Sequence, residues 1–239
     1  MTAEPPRDGP VIPRLFSAAS EEVSDRRREL RRLGGATRAL IERLVHTPAD
    51  EAELAAMADE VEALVRRLPE RQGRSAYDGF AEVSMAGSDP ELGAFFDHSP
   101  LIGLANPLSP PLHLTIEADR VTGTAVFGSA YEGPPGHVHG GYIAAAFDEL
   151  LGAAQTLSGA PGMTGRLIVH YRSPTPLHEE LRLEGRFLRR DGRKVFTEGS
   201  MWVGDRLTAE AEGLFVSVPA ERFMVMRRER DSDGGAPPS

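Results

Sequence analysis

Between residues 112 and 217 the apolar positions recur at every second residue, change once to a helical spacing, and change back. LHLTIEA (112–118) and VTGTAVFGS (121–129) alternate as half-buried strands do and are joined at Asp119-Arg120. A helical pattern covers about 140–156. Four more strand-like runs follow: MTGRLIVHYRS (163–173), LRLEGRFLR (181–189), RKVFTEGSMWV (193–203) and RLTAEAEGLFVS (206–217), with turn signals at Asp191-Gly192 and Gly204-Asp205. Two strands, one helix and four strands make an α+β chain, because a parallel sheet needs a helix between successive strands. No unit of roughly 20–50 residues repeats, which excludes solenoids and propellers.

The rest of the chain divides into smaller pieces. Residues 1–18 hold four prolines and read as a disordered leader, and 221–239 read as a flexible tail. Residues 19–70 predict a helical hairpin packed on the main domain or on a partner chain. Its first helix carries Leu30, Leu33, Leu40, Ile41 and Leu44, with a kink or break expected at Gly34-Gly35. Its second starts with Thr47 as N-cap and Pro48 at the first helical position, and repeats Leu54, Met57, Val61, Leu64, Val65 and Leu68 until Pro69. Residues 71–111 form a loop-rich connector whose Phe95, Phe96, Leu101, Ile102 and Leu104 must cover something apolar. The domain proper is 112–220. Cysteine is absent, which excludes a thiolate nucleophile and cysteine-based metal sites and points to a reducing, cytoplasmic setting. A net charge of −9 argues against a nucleic-acid partner, and no apolar run is long enough for a membrane span.

The chemistry concentrates in PPGHVHGGYIAAAFDELLGAA. Ile143, Phe147, Leu150, Leu151 and Ala154 form one helical stripe that faces the sheet. Asp148 stands at the flank of this stripe, where partial desolvation would raise its pKa and suit it to general-base work; Glu149 points further round. His139-Gly140-Gly141 opens the helix with unpaired N–H groups, a natural oxyanion site. Gly141 and Asp148 share a helix face but lie about 10 Å apart along the axis. One small carbonyl cannot touch both, so a joint role requires the donor and the acid to come from two antiparallel helices across a two-fold axis. That predicts an obligate dimer with two shared sites. His137 and His139 form an HxH pair, but no carboxylate follows at metal-ligand spacing, so no metal is expected.

YEGPPGHVHGGYIAAAFDELLG followed by MTGRLIVHYRSPTPL resembles the hotdog-fold acyl-CoA thioesterases of the PaaI and THEM type, over roughly residues 110–218. In that family a His-Gly-Gly loop enters the central helix, an acid follows nine residues after the His, and a Ser or Thr follows sixteen after the acid; here these are His139, Asp148 and Thr164. The resemblance implies an antiparallel sheet wrapped around the central helix, a homodimer or dimer of dimers, no cofactor, and hydrolysis of a fatty or aromatic acyl-CoA. Asp148 would activate water or attack the thioester directly, Thr164 would hold the water or orient the carboxylate, and Gly140 or Gly141 N–H beside His139 would hold the oxyanion. Many PaaI-type members carry Asn six residues before the His; here that position is Gly133, as the THEM-type Glu-Gly-Pro-Pro-Gly lead-in allows. Residues 165–194 balance to +4, which suits a polyanionic coenzyme, with Arg172, Arg193 and Lys194 as the expected phosphate contacts and Phe95 and Phe96 as the acyl lining. The alternatives are a hotdog module that binds acyl thioesters or a protein without turnover, and a hotdog hydratase.

Overall fold

The computed structural model describes residues 23–69, 96–160 and 162–217. The expected leader, tail and Phe95 lie outside them. Helices α1 (Asp25–Leu44) and α2 (Glu51–Arg67) precede strands β1 (His113–Ile116) and β2 (Val121–Val126), the central helix α3 (Gly140–Gln155), and strands β3 (Gly162–Tyr171), β4 (Glu180–Asp191), β5 (Lys194–Val203) and β6 (Arg206–Ser217). All pairings are antiparallel, in the order β1-β2-β4-β5-β6-β3. The sheet curls round α3, the hotdog arrangement expected from the sequence.

The helix can sink into the sheet because the strands beneath it lack side chains at the crossing. Gly185 and Gly199 are register partners on β4 and β5. A Cβ at Gly185 would come 2.9 Å from Leu150 Cγ, and one at Gly199 would come 3.0 Å from Leu151 Cδ2. Leu150, Leu151, Phe147 and Ala154 are consequently fully buried, with Leu181, Leu183, Val195, Met201 and Phe215 around them. Burying a leucine or phenylalanine side chain stabilises by about 1.5–3 kcal/mol, so this seam holds α3 in place.

Two expectations for the N-terminal region are corrected. α1 runs unbroken through Gly34-Gly35. Gly34 is buried because a Cβ there would lie 2.5 Å from the Ala105 carbonyl oxygen, so the glycine serves a close approach rather than a kink. The second helix starts at Glu51, capped by Asp50 rather than Thr47. Asp50 and Glu53 form a capping box that satisfies two backbone donors reciprocally, which the Thr47-Pro48 pair cannot match. The two helices do not close into a packed hairpin: every residue of α2 is exposed, as are Leu33, Leu40 and Leu44 of α1.

The other face of α1 clamps the segment 96–112 onto the domain. Arg27 and Arg31 both donate to the buried Asp97. Arg38 donates to the carbonyls of Gly103, Leu104, Asn106 and Ser109. Glu42 accepts from the N–H groups of Ser129 and Ala130. Burial would raise the Glu42 pKa, but those donors and the nearby His178 outweigh it and leave the carboxylate below its ordinary value.

Candidate functional site

The loop into α3 is held from several directions. Glu132 and Val138 form a β-bridge, and the Gly136 N–H donates to the Glu132 carboxylate at 2.6 Å. Val138 N–H donates to the Thr175 carbonyl and His139 N–H to that of Tyr131, at 2.8 and 2.9 Å. Burial pushes the Tyr131 phenol up to about 12, so it stays protonated and donates to the Leu108 carbonyl. Gly133 lies directly against the histidine: a Cβ there would sit 2.7 Å from His139 Cα. The missing asparagine thus has a steric cause, since no side chain fits at that position.

His139 is the N-cap of α3, and its Nδ1 accepts the Gly141 N–H at 3.0 Å. A neutral ring accepting at Nδ1 carries its proton on Nε2, which becomes a donor. Gly141 was expected to offer its N–H to a ligand; the histidine ring takes it instead. The Gly140 N–H has no acceptor among the described residues. Tyr171 is exposed and donates its hydroxyl to the Gly140 carbonyl at 2.8 Å, fixing this end of the helix.

Two turns along α3, Thr164 donates to Asp148 Oδ1 at 2.7 Å. The register of β3 against β6 shifts between Thr164 and Arg166, so Gly165 forms a bulge of the kind that re-aims a neighbouring side chain. The start of β3 is tied to the end of α3 by Gln155, whose amide donates to the Gly162 carbonyl and accepts the Gly162 N–H, both at 3.0 Å. Gln155 was not among the expected residues, yet its signal was present: it is the polar residue four positions after Leu151 on the apolar stripe.

The desolvated acid is not the expected one. Asp148 is exposed in the single chain, whereas burial raises the pKa of Glu149, whose carboxylate accepts a hydrogen bond from Ser99 at 3.3 Å and feels the charge of Asp148. The cause is the clamped segment 96–112, which covers the Glu149 flank of α3 and leaves the Asp148 flank open. The start of α3 and Asp148 remain about 10 Å apart along the helix, as its geometry requires.

The expected phosphate contacts separate. Arg172 follows the end of β3 nearest Gly140 and is paired with Glu210 at 2.8 Å. Arg193 and Lys194 lie at the β4–β5 turn, where Ser217 and Val216 pair with the start of β3. The length of β3, about 30 Å, keeps the two groups from one ligand in one chain. Phe96 is half-buried in the covering segment. His137 is turned to the Pro135 carbonyl through Nδ1, and no cluster suited to a metal occurs among the described residues.

Comparison with known proteins places these residues in a wider set. The family model of the thioesterase superfamily matches residues 135–210. The chain is 37% identical to acyl-coenzyme A thioesterase THEM4 of Xenopus laevis over 93 residues, 38% of this chain and 42% of that protein. The Bos taurus THEM4 is 31% identical over 97 residues, 40% of each. The chain therefore spans about two fifths of the curated relatives it matches. A crystal structure of a thioesterase superfamily protein is 34% identical, with a TM-score of 0.65, and the match covers 78% of this chain and 94% of that one.

Proposed function

The chain belongs to the thioesterase superfamily, and on that premise we propose that it is an acyl-CoA thioesterase that cleaves a fatty or aromatic acyl-CoA to the free acid and CoA. The observation that carries the reading is the open Asp148 carboxylate held at 2.7 Å by Thr164, on the same helix that begins with an unpaired Gly140 N–H. In the reaction a water oxygen bonds to the thioester carbon while Asp148 takes the water proton. The C–S bond then breaks, the sulfur leaves as CoA thiolate, and the acyl group departs as the acid. Negative charge on the carbonyl oxygen is met by the Gly140 N–H and the His139 Nε2–H, donors whose loss typically costs about 100-fold or more. Direct attack by Asp148 through an anhydride uses the same groups.

The acid and the donors act from two subunits, since one helix keeps them apart. Two features support this. β3 is an edge strand of the sheet with no buried residue, which leaves backbone groups available for a second copy. Asp148 is exposed in the single chain, and a partner would supply the desolvation a general base needs. Arg193 and Lys194, which are exposed, are the better candidates for the coenzyme phosphates, because Arg172 is already paired. No helix among the described residues is long and apolar enough to cross a membrane. The lack of cysteine supports a reducing, cytoplasmic place of action.

The test is thiol release from acyl-CoAs running from acetyl to palmitoyl, with phenylacetyl and benzoyl. Turnover of at least one, abolished in Asp148→Asn, is expected. Tight binding of an acyl-CoA without thiol release would make the protein a binding module instead. Mixing Asp148→Asn subunits with Gly140→Val subunits should restore part of the activity, because one site of each mixed dimer is intact; confirmed exchange without recovery would remove the shared site.

A further inference from the structure

α2 is a helix without a packing partner among the described residues. All 17 of its residues are exposed, and none of its apolar side chains packs on the domain. Isolated helices of this length are marginal in water, and a capping box adds only about 1 kcal/mol. The sequence nevertheless has a seam. Leu54, Met57, Val61, Leu64 and Leu68 recur at alternating steps of three and four, the spacing of a coiled coil, and each is 37–51% exposed. α1 does not cover it, since Arg27, Arg31, Arg38 and Glu42 hold the domain and its own outward leucines stay exposed.

The charges beside the seam select an occupant. In a parallel pair of α2 helices, Glu53 would face the partner's Ala58 and Glu60 the partner's Val65, a carboxylate against an apolar side chain in each case. An antiparallel pair that sets Val61 against the partner's Leu64 and Met57 against the partner's Leu68 brings Glu60 beside the partner's Arg67 and Ala58 beside the partner's Val65. Opposite charges then meet on one side of the seam and apolar groups on the other, twice each by symmetry. Val65, 61% exposed and off the main stripe, gains a place in the contact. The opposed helix dipoles favour the same direction.

We propose that α2 is an association element that pairs antiparallel with α2 of a second copy of this chain. The pairing is independent of the thioesterase reading and of the contact through β3. The natural chain has no cysteine, so introduced thiols are unique reporters. Full-length protein carrying Ala58→Cys together with Val65→Cys should form a disulfide-linked dimer under mild oxidation, with a yield at least 10-fold above that of Leu54→Cys, whose two copies would lie about 25 Å apart along the pair. Adding Val61→Glu and Leu64→Glu should abolish the cross-link while thermal unfolding stays unchanged, because α2 packs on none of the described residues of the domain. Strong cross-linking of Leu54→Cys would show parallel pairing and overturn the proposal, as would no cross-link in the double-cysteine protein or one that survives the two glutamates. A cross-link in a protein that releases no thiol would leave this pairing standing and remove only the hydrolase reading.

Discussion

Asp148 and Glu149 are neighbours on one helix with the same chemistry and opposite surroundings. Asp148 faces outward and takes its order from a single hydroxyl, that of Thr164. Glu149 lies under the 96–112 segment, which two arginines of α1 fasten through Asp97, and burial raises its pKa. A step of about 100° round a helix separates an exposed carboxylate from one half-buried beneath a loop. The raised pKa therefore marks the covered acid and not the open one. In the proposed reading the open acid is the functional one, because a second subunit could complete its site, whereas Glu149 is already partly covered by its own chain.

The largest expected effect separates the two acids directly. Asp148→Asn should cut kcat by roughly 100- to 10,000-fold with the thermal transition intact, whereas Glu149→Gln should keep turnover within a few fold. Steady-state thiol release decides this, and equal losses in the two variants would end the distinction. Next comes the cover itself. Asp97→Asn leaves Arg27 and Arg31 facing a neutral amide in a buried site, and removing one partner of such a pair costs about 3–5 kcal/mol. Urea unfolding should show this loss, and Glu149 should become more accessible to carboxyl-directed labelling.

Smaller effects follow from the support of Asp148. Gln155→Leu removes both bonds to Gly162 and should lower kcat by about 10-fold with little change in KM, matching Thr164→Val, while Gln155→Glu, which keeps the acceptor for the Gly162 N–H, should fall between. A change confined to KM would mean that Gln155 does not act through Thr164. The smallest effect is the pH dependence of Glu149→Gln. Because the folded state holds the Glu149 proton more tightly than the unfolded chain does, the wild type has that stabilisation in full below roughly pH 4 and loses it as pH rises through the raised value. The glutamine variant should match wild type at low pH and exceed it in Tm near pH 8. A variant less stable than wild type near pH 8 would mean that the carboxylate is stabilised, not penalised, beneath its cover.

Local spacing made much of this protein readable. The order of six strands around one helix follows from where the period changes from two to 3.6, and the boundaries of α3 and β6 agree with that reading to within a residue. His139, Asp148 and Thr164 are picked out by the family resemblance, and the structure joins the last two by a hydrogen bond. The split between Arg172 and the Arg193-Lys194 turn was not legible, because summing charge over 165–194 ignores the long strand between them. Nor was the capture of the Gly141 N–H by His139, which depends on the orientation of the histidine ring rather than on residue spacing.

By itself the sequence determined which segments become strands and helices, and which face of each is apolar, because backbone geometry imposes those periods within a few neighbouring residues. The tertiary structure alone decided which carboxylate is covered, why Gly34 is glycine, and that α2 has no packing partner among the described residues. Those outcomes rest on contacts such as Arg27 with Asp97 and Glu42 with Ser129, 70 and 87 residues apart, and no local pattern records whether two distant segments will meet.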